Sequence, residues 1–258
     1  MTVLAAENLS IGYGSTVVAT GINLSLRAGS ITCLLGPNGV GKTTLFKTLL
    51  GLIAPLAGTI RVGDENLSRL SRAAIARQIA YVPQAYLGDF AYTVLDLVVM
   101  GRTAYVGAFG SATKADVDIA MKALETLGIA ALAQRDATRV SGGQRQLALV
   151  ARALAQQANI IVMDEPTASL DLGNRLLILD RIRKLATDGL AVVLSTHEPE
   201  QAFAVADNVA VLGRQQHFQT GSPQAILTSQ QLTALYGVDL LVEQTPTGRQ
   251  VVGPRFTD

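Results

Sequence analysis

Residues 36–44, with the sequence GPNGVGKTT, have the types and spacing of a phosphate-binding loop. They follow an apolar segment, Ile31–Leu35, and precede a segment with helical periodicity. Glycines allow the backbone N–H groups to wrap around phosphate oxygens, and the N-terminus of the following helix adds a positive field. In this pattern the Lys42 ammonium contacts the β- and γ-phosphates, and the Thr43 hydroxyl binds Mg²⁺. A glycine-rich turn without a ligand is the alternative interpretation.

Two adjacent carboxylates end a second apolar segment, at residues 160–166 with the sequence IIVMDEP. A continuous apolar run is typical of a fully buried parallel strand, and open α/β sheets bind ligands at the carboxyl ends of such strands. We interpret Asp164 as the carboxylate on the magnesium side, acting through water. Glu165 is then the candidate residue to polarise the water that attacks the phosphate. The alternative is a solvated strand end.

Two glycines, Gly142 and Gly143, begin a helical pattern in the segment VSGGQRQ. Each costs roughly 1 kcal/mol relative to alanine inside a helix, so their presence needs a reason. A capping box formed by Ser141 and Gln144 is one interpretation, but it explains neither glycine. Free N–H groups at a helix N-terminus bind anions, and the close approach of a phosphate would explain both glycines. The segment therefore predicts a second phosphate contact.

The composition is that of an ordinary globular chain, with 258 residues, 49% hydrophobic residues and a net charge of +1. This length suffices for one large domain or two packed lobes. The net charge is close to zero, so the composition does not indicate the excess of Lys and Arg that is typical of nucleic-acid-binding proteins. A single cysteine, Cys33, excludes an internal disulfide and fits a reducing compartment. We find no signal-peptide pattern and only strand-length apolar runs, so we expect a cytosolic protein that meets a membrane through a partner.

The order of apolar patterns predicts an α/β fold with a helical insertion. Predicted strands lie at residues 4–9, 21–26, 31–35, 59–62, 79–82, 160–163, 191–195, 208–212 and 217–220. Predicted helices lie at residues 42–51, 93–100, 114–127, 142–156, 172–186 and 199–206, with a helical tail to residue 236 and a final hairpin-like stretch. The single domain over residues 1–258 then has a core at residues 1–85 and 159–258 and a helical subdomain at residues 86–158.

Together, these motifs resemble the ATP-binding subunits of ABC (ATP-binding cassette) transporters over nearly the full length of the chain. The resemblance implies a P-loop NTPase (RecA-like) core with an N-terminal antiparallel β subdomain and an inserted α-helical subdomain. It also implies a head-to-tail homodimer in which the segment at Ser141 faces the γ-phosphate held by the other subunit. Val140 replaces the usual leucine of this signature, an apolar change that we expect to preserve function.

Four further residues match family positions. Tyr13 resembles the aromatic residue that stacks on adenine, although a lone tyrosine is more often structural. Gln84 in YVPQ resembles the glutamine that senses magnesium and the attacking water, and Asp171 in SLD belongs to a loop that crosses the dimer interface. His197 in LSTHE resembles the switch histidine that contacts the γ-phosphate and organises Glu165, with a surface histidine as the alternative.

The resemblance thus implies an active ATPase with ATP and Mg²⁺ as cofactors. The implied catalytic residues are Glu165, His197, Lys42 and Gln84, and the implied metal ligands are Thr43, Gln84 and Asp164. The implied nucleotide-binding residues are Tyr13, Gly36, Pro37, Asn38, Gly39, Val40, Gly41, Lys42, Thr43, Thr44, Ser141, Gly142, Gly143, Gln144 and Asp171.

The same resemblance implies partners and a location. The partners are a second copy of the ATPase, two integral membrane permease subunits and, indirectly, a periplasmic or extracellular substrate-binding protein, with no nucleic acid. The location is the cytoplasmic face of the cell (inner) membrane. Residues 87–107 and 232–240 resemble importers of metal chelates, namely iron-siderophore complexes, haem, cobalamin and, in some members, molybdate. Gly101-Arg102 continues as Thr-Ala-Tyr where many relatives have a Pro-His pair, which argues against a narrower assignment.

Three alternatives remain open from the sequence. The chain could serve an exporter, although exporter cassettes often share a chain with membrane segments. It could act on DNA or ribosomes, although such ATPases carry coiled-coil, zinc-bearing or paired-cassette insertions. It could also be a nucleotide-binding regulatory module without turnover, which the presence of both Glu165 and His197 disfavours.

Overall fold

The computed structural model of the chain describes residues 1–84, 92–106, 110–213 and 218–255. Residues 87–91 and 107 of the segment that resembles metal-chelate importers lie outside these ranges, as do His217 and the predicted subdomain boundary at residues 85–86. Among the described residues, no helix combines the length and the apolar character needed to cross a bilayer.

The described part of the chain begins mostly with strands, passes through a run of helices in its middle part, and then alternates strands with helices. The strands are β1 (Thr2–Tyr13), β2 (Thr16–Arg27), β3 (Ile31–Leu35), β4 (Ala57–Val62), β5 (Glu65–Asn66), β6 (Ile79–Val82), β7 (Ile160–Met163), β8 (Ala191–Thr196), β9 (Asn208–Leu212), β10 (Phe218–Gly221), β11 (Leu240–Gln244) and β12 (Gln250–Pro254). The helices are α1 (Lys42–Leu49), α2 (Arg72–Gln78), α3 (Val94–Val99), α4 (Lys114–Thr126), α5 (Gly142–Ala155), α6 (Leu172–Thr187), α7 (Pro199–Val205), α8 (Pro223–Ile226) and α9 (Ser229–Tyr236).

A mainly parallel sheet forms the centre of the fold, with the strand order β10-β9-β3-β8-β7-β6. β3 runs parallel to β8 and β9, β7 runs parallel to β6 and β8, and β10 is antiparallel to β9. Every residue of β3, β7 and β8 is buried, as their mainly apolar sequences predict. Because β3, β6, β7 and β8 are parallel, the loops that follow them meet at one edge of the sheet.

Two apolar cores cover the opposite faces of this sheet. Successive residues of a strand point to opposite faces, so Ile161 and Met163 of β7 join one core while Ile160 and Val162 join the other. The first core continues into the helices α3, α4 and α5, and the second continues into α1 and the N-terminal strands. Cys33 in β3 is completely buried, and burial raises the pKa of its thiol far above the ordinary range.

The N-terminal strands form a separate antiparallel sheet with the order β2-β1-β4-β5, which confirms the expected β subdomain. β1 and β2 pair from Thr2 and Arg27 to Tyr13 and Thr16, so both are longer than predicted. Several register shifts interrupt this pairing, and the alternation of apolar and polar residues on which the prediction depends is broken at those points.

Helix α2 was not predicted. Ile75 is the one buried residue of this helix, and so short a helix shows little periodicity of apolar residues in its sequence. Ser71 caps it by accepting a hydrogen bond from the N–H of Ala74. Helices α3, α4 and α5 lie inside the predicted helical subdomain, whose limits at residues 86 and 158 remain a prediction.

Candidate functional site

The loop at residues 36–41 joins β3 to α1 and leaves the N-terminus of that helix open. Gly41 is the N-cap residue, and no side chain there accepts the first N–H groups of the helix. Its φ of +114° is a conformation that side-chain-bearing residues rarely adopt. A Cβ at this position would also lie 2.4 Å from a methyl carbon of Val18 in β2. The backbone geometry therefore requires glycine and keeps the helix N–H groups available to an anion.

Lys42 is buried, with 5% of its surface exposed, at the start of α1. Its ammonium donates hydrogen bonds to the carbonyl oxygens of Gly36 (2.8 Å) and Pro37 (3.3 Å). It also lies 3.2 Å from the Oε1 atom of Glu165. A buried ammonium needs such partners because removing a charge from water is costly.

Asp164 follows β7 and is held by two hydroxyl groups from other elements. Thr43 Oγ1 donates to Oδ2 at 2.8 Å, and Ser195 Oγ donates to Oδ1 at 2.6 Å. Tyr81 lies close to this carboxylate, and burial together with the charge of Asp164 raises the pKa of Tyr81 to about 12. The sequence reasoning missed both Ser195 and Tyr81, although each lies at the end of a strand that was predicted correctly.

Glu165 adopts a left-handed backbone conformation, with a φ of +43°. Strain of this kind in a residue with a side chain is often found at functional sites. Its N–H donates to the Ser195 hydroxyl oxygen at 2.8 Å, which couples its backbone to the oxygen that also contacts Asp164. Its side chain is only 11% exposed.

Three side chains predicted to act with Glu165 surround its carboxylate. Besides the Lys42 ammonium at Oε1, Gln84 Nε2 donates to Oε2 at 3.3 Å and His197 Nδ1 lies 3.4 Å from Oε2. These residues follow β3, β6, β7 and β8, which are far apart in sequence. The parallel sheet brings them together at the edge where its strands end.

A cavity of about 340 Å³ opens at this edge. Its lining consists of Asn38, Gly39, Gly41, Lys42, Thr43, Thr44, Gln84, Asp164 and Glu165. In the described part of the chain, no three His, Cys, Asp or Glu residues form a group that could hold a metal ion by themselves. The Thr43 hydroxyl and the Asp164 carboxylate are nevertheless hard oxygen donors that suit Mg²⁺, which usually takes few protein ligands beside phosphate oxygens and water.

The residues at the start of α5 form the capping box that the sequence allows. The Ser141 hydroxyl oxygen accepts the N–H of Gln144 (3.2 Å), and the Gln144 amide oxygen accepts the N–H of Ser141 (3.1 Å). A Cβ on Gly143 would lie 2.4 Å from Oδ1 and 2.9 Å from Cβ of Asn174 in α6. On Gly142 its nearest neighbour would be Leu170, at 3.6 Å. The contact with Asn174 therefore gives Gly143 a packing reason that does not involve a phosphate, and the predicted phosphate contact at this helix N-terminus stays a prediction.

Tyr13 and Asp171 lie outside the lining of the cavity among the described residues. Tyr13 is half exposed at the end of β1, on the same hairpin as Val18, which packs against the phosphate loop. Asp171 is the N-cap of α6 and accepts two hydrogen bonds from Asn174, which lower its pKa. The nucleotide-binding roles of both residues, and of the start of α5, stay predictions.

A central parallel sheet with a lysine-bearing phosphate loop after one strand and an aspartate at the carboxyl end of another is the construction of P-loop nucleoside triphosphatases. Comparison with protein families matches residues 19–168 to the family described as ABC transporter. The chain belongs to this family, and its activity is the hydrolysis of ATP coupled to transport.

Individual relatives extend the match to almost the whole chain. An uncharacterised ABC transporter ATP-binding protein of Haemophilus influenzae is 45% identical, over 90% of this chain and 89% of the relative. The molybdate import ATP-binding protein MolC of the same organism is 39% identical, over 93% of this chain and 90% of the relative. A solved inward-facing structure of a proposed metal-chelate type ABC transporter superposes with a TM-score of 0.88 at 36% identity, covering 99% of this chain and 98% of that one.

Proposed function

We propose that this chain is the ATP-hydrolysing subunit of an importer for a metal chelate or a related substrate, such as an iron-siderophore complex, haem, cobalamin or molybdate. The similarity to a molybdate import protein and to a metal-chelate type transporter supports the substrate class. The observation that carries the hydrolytic role is the meeting of Lys42, Gln84 and His197 around the carboxylate of Glu165.

The phosphate loop and Lys42 would hold the triphosphate of ATP, because a buried ammonium and open helix N–H groups suit its negative charge. Thr43, Asp164 and Gln84 would hold Mg²⁺, which neutralises charge on the phosphate oxygens when bound. Binding of ATP would transfer Lys42 from Glu165 to the phosphates. The carboxylate of Glu165 would then be free to orient water and accept its proton.

His197 would contact the γ-phosphate and steady Glu165, since its imidazole lies 3.4 Å from that carboxylate and is 45% exposed toward solvent. Phosphoryl transfer to water depends on positioning and on charge stabilisation more than on covalent help. Lys42 would supply positive charge, His197 a hydrogen bond to the γ-phosphate, and Glu165 the position of the water.

A closed homodimer would complete each site. Ser141, Gly142, Gly143 and Gln144 of a second copy would face the γ-phosphate held by the first, with Asp171 in the interface and Tyr13 against adenine. ATP would favour this closed state because it contacts both copies only there, and hydrolysis would release it. The dimer would act on two membrane permease subunits at the cytoplasmic face of the inner membrane, supplied by a substrate-binding protein outside.

Replacement of Glu165 by glutamine tests the hydrolytic role. We expect Glu165→Gln to retain ATP binding and to lose turnover, because an amide cannot accept the proton of water. The measurement is phosphate release together with binding of a fluorescent ATP analogue, with Glu125→Gln on an exposed position of α4 as the control. Turnover by Glu165→Gln at the wild-type rate would remove Glu165 from this role.

The substrate class needs a separate experiment. The chain would be reconstituted with its permease in proteoliposomes, and uptake of radiolabelled iron-siderophore, haem, cobalamin and molybdate would be measured with ATP or ADP enclosed. ATP-dependent accumulation of one of these substrates supports the proposal. ATP-dependent loss of substrate from the vesicles would assign the chain to an exporter.

A further inference from the structure

The C-terminal segment of the chain is fastened to the region that follows β8. The β11–β12 hairpin is held on α9 by the N–H of Val242, which donates to the Ser229 hydroxyl oxygen at 2.8 Å. The same hairpin is held on α7 by the N–H of Val252, which donates to Oε1 of Glu200 at 3.1 Å. Tyr236 is the last residue of α9, the helix to which this hairpin is attached.

The phenol hydroxyl of Tyr236 donates a hydrogen bond of 2.8 Å to the backbone carbonyl oxygen of His197. A carbonyl oxygen can only accept, so the phenol must be protonated for this bond to form. Burial of the ring raises the pKa of Tyr236 above its ordinary value, which favours the protonated phenol that donates this bond. This bond links the last helix to the peptide unit that carries the predicted switch histidine.

The residues on either side of His197 are fixed by other contacts. The N–H of Glu198 donates to Thr196 Oγ1 at 3.0 Å, and Thr196 Oγ1 donates to the Gln201 amide oxygen at 3.2 Å. The Glu198 carboxylate pairs with Arg175 of α6 at 2.6 Å. The Tyr236 bond fixes the carbonyl of the residue between them, and with it the plane of the peptide that follows His197.

We propose that Tyr236 is a positioning residue for ATP hydrolysis, which holds the His197 backbone so that the imidazole reaches Glu165 and the γ-phosphate. The inference rests on the proposed role of His197. The imidazole lies 3.4 Å from Oε2 of Glu165, a distance at which a rotation of the supporting peptide would break the contact. Tyr236 lies outside residues 19–168, the part of the chain that matches the family. The hydrogen bond from Tyr236 to His197 therefore belongs to the C-terminal part of the chain.

Tyr236→Phe tests the inference because it removes the hydroxyl and keeps the ring. The net value of one hydrogen bond corresponds to a fall in kcat of about 2- to 10-fold, with KM for ATP unchanged. The control is Ser229→Ala, which removes a hydrogen bond of the same C-terminal segment without touching the His197 peptide. It should lower the unfolding temperature and leave kcat unchanged.

A double-mutant cycle separates positioning from general destabilisation. In a His197→Ala background, Tyr236→Phe should have no further effect on kcat, since there is no imidazole to position. An equal fall in kcat in both backgrounds would overturn the inference, and so would an unchanged kcat in the wild-type background. Wild-type turnover by His197→Ala alone would instead refute the proposed role of His197, so the two failures are distinguishable.

Proton NMR gives a readout that does not depend on turnover. The chain has two histidines, so His197→Ala identifies the imidazole signal of His197 and leaves that of His217 as an internal reference. We expect Tyr236→Phe to change the chemical shift or the titration midpoint of the His197 signal, and Ser229→Ala to leave both unchanged. A His197 signal that is unchanged in Tyr236→Phe would overturn the inference.

Discussion

The hydroxyl of Ser195 joins the two carboxylate residues of the site. It donates to Asp164 Oδ1 and accepts the backbone N–H of Glu165, and the side chain is completely buried. The carboxylate of Asp164 and the backbone N–H of Glu165 therefore have the same hydrogen-bond partner, the hydroxyl of Ser195. Its removal leaves a buried carboxylate oxygen and a buried N–H without this partner.

We expect Ser195→Ala to lower the free energy of unfolding by about 1–3 kcal/mol, the usual cost of leaving a buried polar group unsatisfied. Turnover of ATP should fall as well, because Asp164 and Glu165 lose their common anchor. Urea unfolding and phosphate release measure the two effects. The control is Ser111→Ala, at an exposed position, which should change stability by less than about 0.5 kcal/mol. A free energy of unfolding equal to that of the wild type in Ser195→Ala would contradict the two hydrogen bonds assigned to Ser195.

At the scale of elements, Arg102, which follows α3, joins the start of α4 to the end of α5 through a buried ion pair and two hydrogen bonds. Arg102 Nε lies 2.9 Å from Asp116 Oδ1, and Arg102 Nη1 donates to the carbonyl of Ala155 and the amide oxygen of Gln157. Hydrogen bonds from Thr113, together with that from Arg102, lower the pKa of Asp116 from 3.8 to about 2. The charged form of Asp116 therefore favours the folded chain.

This shift predicts a pH dependence of stability. Because the folded-state pKa of Asp116 is depressed, its contribution is complete above about pH 4 and is lost as the pH falls toward about 2. Asp116→Asn should be less stable than the wild type at neutral pH, and the difference should shrink over that window. Urea unfolding from pH 2 to 7 measures it, with Asp118→Asn on the exposed face of α4 as the control. A difference independent of pH would contradict the assignment.

The packing of α5 against α6 distinguishes the two glycines of the signature. Gly143→Ala brings a Cβ against Asn174, and we expect overpacking to cost about 1–3 kcal/mol. Gly142→Ala meets only ordinary contact with Leu170, so stability should be unchanged. If the N-terminus of α5 nevertheless contacts a phosphate, Gly142→Ala should lower the rate of ATP turnover. Thermal unfolding and phosphate release of both variants check this, and a wild-type rate in Gly142→Ala would argue for capping alone.

At the scale of the whole molecule, the proposed site needs two copies of the chain. Lys42 lies in the cavity, whereas Ser141 is outside its described lining. We therefore expect Lys42→Ala and Ser141→Arg each to be inactive alone and to recover turnover when mixed, because a mixed dimer contains one site with neither defect. Phosphate release at several mixing ratios measures this. Two inactive variants that stay inactive together, while chromatography shows mixed dimers, would contradict the head-to-tail arrangement.

The linear order of residues determined much of this protein. Apolar runs in β3, β7 and β8 predicted buried parallel strands, and the loop at residues 36–44 predicted a phosphate-binding turn, because both signals depend on neighbours in the chain. The sequence did not predict α2 and predicted the β1–β2 hairpin shorter than it is, because the local periodicity there is short or interrupted.

Tertiary structure alone decided which of these residues meet. The sheet order places Gln84, Glu165 and His197 within hydrogen-bonding reach, and it revealed Ser195 between the two carboxylates. It also showed that the Asn174 side chain of α6 packs against Gly143 of α5 and leaves no space for a Cβ there, a contact between two helices that are separated along the chain. The spacing of residues in a sequence indicates geometry among neighbours along the chain. The contacts above depend on how distant segments pack against one another, and residue spacing carries no direct signal for that packing.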